Sequence, residues 1–137
     1  MNWDLCILIG NNVGPDKKRE RRERYKRGRR AELWATIWLK LKGYRILARR
    51  HRTPVGEIDI IVRKRGKVSF IEVKRRKTIT EAESALPHNQ RKRIARAALH
   101  WLDKNKKYET HEMSLDVVLM VPRKMPVHII GAFEPDT

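Results

Sequence analysis

Gly56-Glu57-Ile58-Asp59-Ile60-Ile61 and Phe70-Ile71-Glu72-Val73-Lys74 are the two segments on which the reading of this chain turns. Each alternates charged residues with branched or aromatic ones, the pattern of a half-buried β-strand. Side chains alternate along a strand, so Glu57 and Asp59 share a face of the first, and Glu72 and Lys74 share a face of the second. Lys64-Arg65-Gly66 lies between them and predicts a hairpin turn. If the two strands pair, three carboxylates and one lysine meet over a small area. A strongly basic chain has little reason to cluster carboxylates unless a cation joins them. Such a set suits a hard divalent metal beside a phosphodiester.

The rest of the composition agrees. The chain has 137 residues, of which 40% are hydrophobic and 36% charged, enough for one globular domain with one core. Its formal net charge is +17, from 33 Lys and Arg against 16 Asp and Glu. A polyanion is the natural partner, nucleic acid before all others. An anionic membrane is the second candidate, but no clear Lys/Trp amphipathic helix offers to insert in one. The lone Cys6 makes no internal disulfide, and Cys6 with five scattered histidines forms no familiar zinc signature. Both facts favour a reducing, cytoplasmic setting. The apolar run from Leu5 to Ile9 is too short to span a bilayer and has no basic stretch before it, so neither a transmembrane helix nor a signal peptide is expected.

Working outward, residues 1 to about 16 read as a leader with turn chemistry at Gly10-Asn11-Asn12 and Gly14-Pro15. Residues 17 to 30 carry ten Lys and Arg against Glu20 and Glu23. This is either a mobile basic arm or the solvated first turns of a helix. A helix is predicted from about Arg27 to Lys42, on the spacing of Ala31, Trp34, Ala35, Trp38, Leu39 and Leu41, with Gly43 as its C-terminal cap. Strands are predicted over Tyr44 to Arg50, Glu57 to Arg63 and Lys67 to Arg75. A loop follows over Arg76 to Pro87, then a helix over His88 to Lys104, and strands over Leu115 to Val121 and Val127 to Ala132. The order is α-β-β-β-α-β-β. The domain division is a leader and basic arm over 1–26, a main domain over 27–133 and a tail over 134–137.

Hydrolysis of a phosphodiester needs a nucleophilic water and stabilised charge on the leaving oxygen. Magnesium, or manganese in its place, supplies both through carboxylate ligands. Asp59 and Glu72 are the natural ligands, with the Val73 carbonyl as a further one. Glu32, from the first helix, is placed to reach the same spot or to hold a metal-bound water, and Thr36 shares its helical face. Lys74 points the same way as Glu72 and can stabilise the pentavalent phosphate or orient the attacking water. By itself Glu-x-Lys is a weak signal, because alternating charge is also the ordinary look of a solvated strand. The apolar flanks Val68, Phe70, Ile71 and Val73, and the carboxylate strand before them, are what strengthen it.

Asp59 followed by Glu72-Val73-Lys74 resembles the PD-(D/E)xK motif of the restriction-endonuclease-like superfamily. The upstream Glu32 resembles the extra acid of archaeal Holliday junction resolvases. More closely, the chain is similar to the YraN family of small bacterial proteins, through Gly28-Arg29-Arg30-Ala31-Glu32, Gly43-Tyr44-Arg45-Ile46-Leu47, Gly56-Glu57-Ile58-Asp59, the Phe70 to Lys74 segment and Leu115-Asp116-Val117-Val118. The resemblance covers about Arg27 to Phe133. It implies an α/β restriction-endonuclease-like fold, a mixed central sheet flanked by helices, divalent-metal chemistry and a nucleic-acid substrate. It gives Asp59, Glu72 and Lys74 the catalytic roles and Glu32 the accessory acid. Gln90 stands where the family usually has a lysine.

Other residues are weighed against plainer readings. Glu57 is either a supporting acid or the partner of an arginine such as Arg52 or Arg75, the pairing being preferred. Asp116 either reaches the metal site or only ends its strand or meets an arginine, the latter being preferred. Trp34, Trp38 and Trp101 are expected in the core rather than stacked on bases. Each histidine is expected to be satisfied or exposed. Arg27, Arg29, Arg30, Arg52, Arg75, Arg76, Gln90, Arg91 and Lys92 are the candidate nucleic-acid contacts, and Arg49, Arg50, Lys77 and Arg93 also flank the cleft in sequence. Such contacts imply affinity that falls steeply with salt and carries little sequence information.

Three functions compete. The first is a metal-dependent nuclease acting on DNA, including branched or flapped DNA. The second is a non-catalytic nucleic-acid-binding module on the same fold. The third is a basic adaptor that binds an acidic protein through residues 17 to 30. The Glu32, Asp59, Glu72, Lys74 set places the first ahead, since a binding module has no need for converging acids. A homodimer would set two sites for cuts on both strands, but no residue decides it.

Overall fold

The computed structural model describes residues 15–78 and 86–134. In chain order they form α1 (Pro15–Leu41), β1 (Arg45–Thr53), β2 (Gly56–Lys64), β3 (Lys67–Arg75), α2 (His88–Lys104), a 3₁₀ turn (Lys106–Tyr108), β4 (Glu112–Met120) and β5 (Val127–Ile129). The chain divides into two units, residues 1–30 and 31–137. Most of the expected leader, with Trp3 and Cys6, lies outside the described residues. So do residues 79–85 of the expected loop and 135–137 of the tail.

In the first unit the described residues are helical, so α1 begins at Pro15 and not at Arg27. Residues 16–30 are all exposed. Apolar periodicity marks a helix only where a face is buried, and here none is. Proline suits the first turn, where its missing N–H costs nothing, and Asp16 complements the helix dipole there. Glu23 answers two arginines one turn away, Arg19 at 4.0 Å and Arg27 at 3.8 Å. The Arg29 guanidinium lies over the Tyr25 ring at 5.3 Å.

The second unit is built on one five-stranded sheet in the order β1-β2-β3-β4-β5. Three neighbouring pairs are antiparallel, but β3 and β4 run parallel. A parallel pair needs a crossover, and α2 provides it. The sheet has two buried faces. Val68, Phe70, Leu115, Val117 and Leu119 pack with Ile94, Ala97, Ala98 and Trp101 of α2. Ile71, Val118, Ile60 and Val62 pack with Ala35 and Leu39 of α1. The result is a mixed α/β sheet flanked by helices, consistent with the restriction-endonuclease-like fold.

Two glycines set the geometry. Gly43, at φ +92°, ends α1 in a Schellman turn, with Tyr44 N–H donating to the Leu39 carbonyl and Gly43 N–H to that of Lys40, both at 3.0 Å. Gly56 opens β2 under α2, where a Cβ would stand 2.8 Å from the Arg93 carbonyl oxygen. A side chain there would push the helix off the sheet.

Two core assignments fail. Trp34 is 63% exposed and Leu41 83% exposed. The buried stripe of α1 runs through Ala31, Glu32, Ala35, Thr36 and Leu39. Trp34 and Leu41 fall outside it, although Trp38 is partly buried against the core and Trp101 is fully in it. Strand ends also shift. β1 continues to Thr53, β4 starts at the polar Glu112, and β5 stops at Ile129. Among the described residues no helix is long and apolar enough to cross a membrane.

Candidate active site

The β2–β3 ladder runs from Lys64 opposite Lys67 to Ile60 opposite Ile71. Asp59 and Glu72 are next in line, just beyond the last pair. Instead of a backbone partner, the Val73 N–H donates to Asp59 Oδ2 at 2.8 Å. The carboxylate therefore wedges into the point where the strands part. Glu72 is buried, and its Oε1 accepts a hydrogen bond from Gln90 Nε2 at 2.8 Å. Lys74 Nζ stands 3.3 Å from the same oxygen and donates to Gln90 Oε1 at 3.3 Å. Gln90 belongs to the first turn of α2. A hairpin and a helix start thus bring Asp59, Glu72, Lys74 and Gln90 together.

Glu32 arrives from α1 on its own terms. It is buried, and Arg50 Nε donates to both of its oxygens, at 3.0 and 3.1 Å. Thr36, on the same helical face, donates to the Glu32 backbone carbonyl at 2.8 Å rather than to the carboxylate. Arg50 stands in the left-handed region, at φ +49°, inside β1. For a residue with a Cβ this backbone costs about 1–3 kcal/mol, so the surroundings hold it there. Among the described residues no three acidic, His or Cys side chains come together as a ready cation cage. Asp59 and Glu72 form a pair, and Glu32 is kept by Arg50.

The electrostatics explain what the pair lacks. Burial, and then the charge of Glu72, push the Asp59 carboxyl up to about 7, against the Val73 hydrogen bond and the Lys74 charge. Burial raises Glu72 as well, opposed chiefly by Lys74. Glu32 is raised by burial too, although Arg50 opposes it, and the Asp59 charge adds to the rise. A buried and a half-buried carboxylate with one lysine beside them resist full ionisation. A divalent cation would supply the missing positive charge, and the donors are hard oxygens, so the residues present fit one.

This fixes a pH dependence. Folded and metal-free, Asp59 keeps its proton to about pH 7, whereas the unfolded residue loses it near 4. The folded state then binds more protons across that window, so this contribution to stability falls as pH rises from about 4 to about 7. Thermal melts in EDTA, wild type against Asp59→Asn, should show the wild type losing ground across that range. Manganese should restore it, most strongly at the upper end. A difference that is flat in pH and indifferent to manganese would refute the assignment.

The proposed nucleic-acid contacts divide between the two units. Arg27, Arg29 and Arg30 belong to the first unit. Arg52 is exposed and lies 3.9 Å from Glu57, its partner in the β1–β2 register, so Glu57 takes the arginine-paired role. Arg75 and Lys92 are exposed, and Arg76 and Arg91 half-buried. Arg91 follows Gln90 directly in the first turn of α2, and its Nε is buried with no hydrogen-bond partner.

Asp116 neither joins the acidic pair nor meets an arginine. It is fully buried and bonded to the Ser114 hydroxyl, to the Gly131 N–H at 3.0 Å and to His128 Nε2 at 2.7 Å. Burial pushes its carboxyl up, but these three bonds outweigh it and hold the group below the usual range. Tyr44 and Trp38 set their rings edge-on to His128, at 5.6 and 6.5 Å between centroids. Arg50 and His128 are the polar residues whose specific partners sequence reasoning missed. Strand register is the signal that pairs them, and it is not written in residue type.

A family model described as "Uncharacterised protein family UPF0102" matches residues 31–120. A UPF0102 protein of Nitrobacter winogradskyi is 46% identical over 110 residues, covering 80% of this chain and 93% of the relative. One from Rhodopseudomonas palustris is 44% identical over 130 residues, covering 95% and 100%. One from Mesorhizobium japonicum is 47% identical over 113 residues, covering 82% and 90%.

Proposed function

The chain belongs to the UPF0102 family, the YraN family of the sequence reading, and from that premise we propose that it is a divalent-metal-dependent nuclease hydrolysing phosphodiester bonds in DNA, branched or flapped DNA included. The observation that carries the proposal is the Asp59–Glu72 pair, opposite one another where β2 and β3 part, with Lys74 3.3 Å from Glu72. A PD-(D/E)xK nuclease of the archaeal resolvase kind would place its acids and lysine in this way. The formal charge of +17 supports a polyanionic substrate. A reducing, cytoplasmic setting goes with this reading.

In this mechanism Asp59 and Glu72 would hold magnesium or manganese. When bound, the metal lowers the pKa of a water and takes up charge on the phosphate oxygens. The chain's own residues do the rest. The Val73 N–H fixes the Asp59 carboxylate in one orientation. Gln90 holds Glu72 with its amide N–H and Lys74 with its amide oxygen, and so sets the distance between them. Lys74 orients the attacking water and stabilises the added negative charge as the water oxygen bonds to phosphorus and the opposite P–O bond breaks. Glu32 is the accessory acid.

The test is a cleavage assay on labelled duplex, flap, four-way junction and single-stranded DNA, in magnesium, manganese and EDTA, beside Glu72→Ala. Metal-dependent cutting that the variant loses supports the nuclease and names its preferred substrate. Binding without cutting, equal for both proteins, supports the second reading, a non-catalytic binding module. One observation favours that second reading: Glu32 and Glu72 already have side-chain cations beside them.

A further inference from the structure

We propose that Arg50 is a phosphate-binding residue of the site, held ready by Glu32, and that nucleic acid takes Arg50 from Glu32 on binding. The proposal rests on reading the site as one for phosphodiesters, and it assigns a residue that reading does not use.

Three features of Arg50 carry it. The first is how it holds Glu32. A guanidinium usually meets a carboxylate with two parallel N–H bonds. Here Nε alone serves both oxygens. Among the described residues no hydrogen bond engages either terminal nitrogen, and neither is among the buried unpartnered atoms. The side chain is 27% exposed, against 10% for Glu32. The fork that recognises a phosphate is therefore open to solvent while the stem is tied down.

The second feature is place. Arg49 pairs with Ile60 and His51 with Ile58 across the β1–β2 ladder. Arg50 lies between the first two, and Asp59 between their partners. The arginine therefore stands on the same rung as the acid that marks the centre of the site. The third is the backbone. The left-handed φ of +49° at Arg50 interrupts the regular alternation of β1, as the register shift between Ile46 and Ala48 does earlier in the strand. Arg50 carries a side chain that is tied to a buried acid of α1.

The exchange follows from charge. A phosphodiester offers two oxygens in the geometry of the fork, beside a carboxylate pair that repels it. A cation at the Asp59–Glu72 pair turns that repulsion into attraction. Arg50 then gains a stronger partner. Glu32, released, is left with its burial and with the cation to answer it.

The experiment is a double-mutant cycle on the full chain with Arg50→Gln and Glu32→Gln. It reads the affinity for a labelled DNA duplex in EDTA and in calcium across a range of salt. Arg50→Gln should weaken binding about tenfold and lower the slope of log affinity on log salt by about one. Arg50→Lys should restore the slope but not the full affinity. Glu32→Gln should strengthen binding, because it removes the competitor, and this gain should vanish in the Arg50→Gln background. A purely structural pair predicts lower melting temperatures with unchanged salt slopes, which would overturn the proposal. So would a Glu32→Gln gain of equal size in both backgrounds, which would mean general charge. Absence of binding by the wild-type chain would overturn it as well. If Arg50→Gln fails to fold, the Arg50→Lys cycle decides by the same non-additivity. Cleavage in magnesium is read separately, so a positive cycle without cutting removes the nuclease and leaves Arg50 its role.

Discussion

Glu72→Gln should reduce cleavage by about a thousandfold or more while DNA binding is kept or strengthened. The substitution preserves shape and removes one negative charge. Gln90 now bonds Glu72 Oε1 at 2.8 Å, and an amide oxygen at that place can still accept this bond. What is lost is half of the carboxylate pair. Metal-assisted phosphoryl chemistry supplies several kcal/mol of charge stabilisation, and every 1.36 kcal/mol is about a factor of ten in rate. DNA feels the opposite effect, since a repulsive charge has left the cleft. Single-turnover cleavage and a binding titration on the same preparation check both halves. Parallel loss of cleavage and binding would point to misfolding. Unchanged cleavage would remove Glu72 from the chemistry.

Asp116→Ala should cost about 3–5 kcal/mol of stability, although Asp116 is no part of the acidic pair. Removing a buried acceptor leaves each of its hydrogen-bonding partners unsatisfied, at about 1–3 kcal/mol apiece. Here the side chain left behind is His128, only 9% exposed, joined by the Gly131 N–H and the Ser114 hydroxyl. These groups hold β5 and the turn after it against β4, and β5 has only three residues of its own. Urea unfolding gives the number. A loss below about 1 kcal/mol would mean that water replaces the carboxylate without cost, contrary to its full burial. Cleavage per folded molecule should stay near that of the parent, which separates this cluster from the active site.

The parts of the molecule legible in the sequence are those where local chemistry and tertiary environment agree. The β2–β3 hairpin is one. Its alternation, its Gly66 turn and its burial all follow from the same residues, and β3 takes the predicted bounds Lys67 to Arg75. The helix over His88–Lys104 is another, because its apolar stripe is its buried face. Agreement fails where no face is buried. The basic stretch of α1 carries no apolar period, so its helical state stood as only one of two readings. Trp34 fails in the opposite sense: its spacing fitted a helix but not the stripe that the sheet covers. The acidic pair was legible because both acids sit on one hairpin, whose turn sets their register. Arg50 and His128 were not. Arg49, Arg50 and Arg52 look alike as residues, and only the pairing of β1 with β2 decides which one stands opposite Asp59. His128 finds Asp116 through a β4–β5 register that Pro122 and Pro126 do not reveal.

Among the described residues β1 and β5 are the edges of the five-stranded sheet, and an uncovered edge invites another copy to add a strand. At one end β5 is too short to serve as a template. At the other, β1 is nine residues long, with Arg45, Arg49 and Arg52 exposed along it. Like charges in a row make edge-to-edge stacking unfavourable, so the arginines that flank the cleft in sequence also keep the protein from aggregating. Neutralising several together would cost solubility as well as affinity, and a precipitated variant would then pass for one that cannot bind.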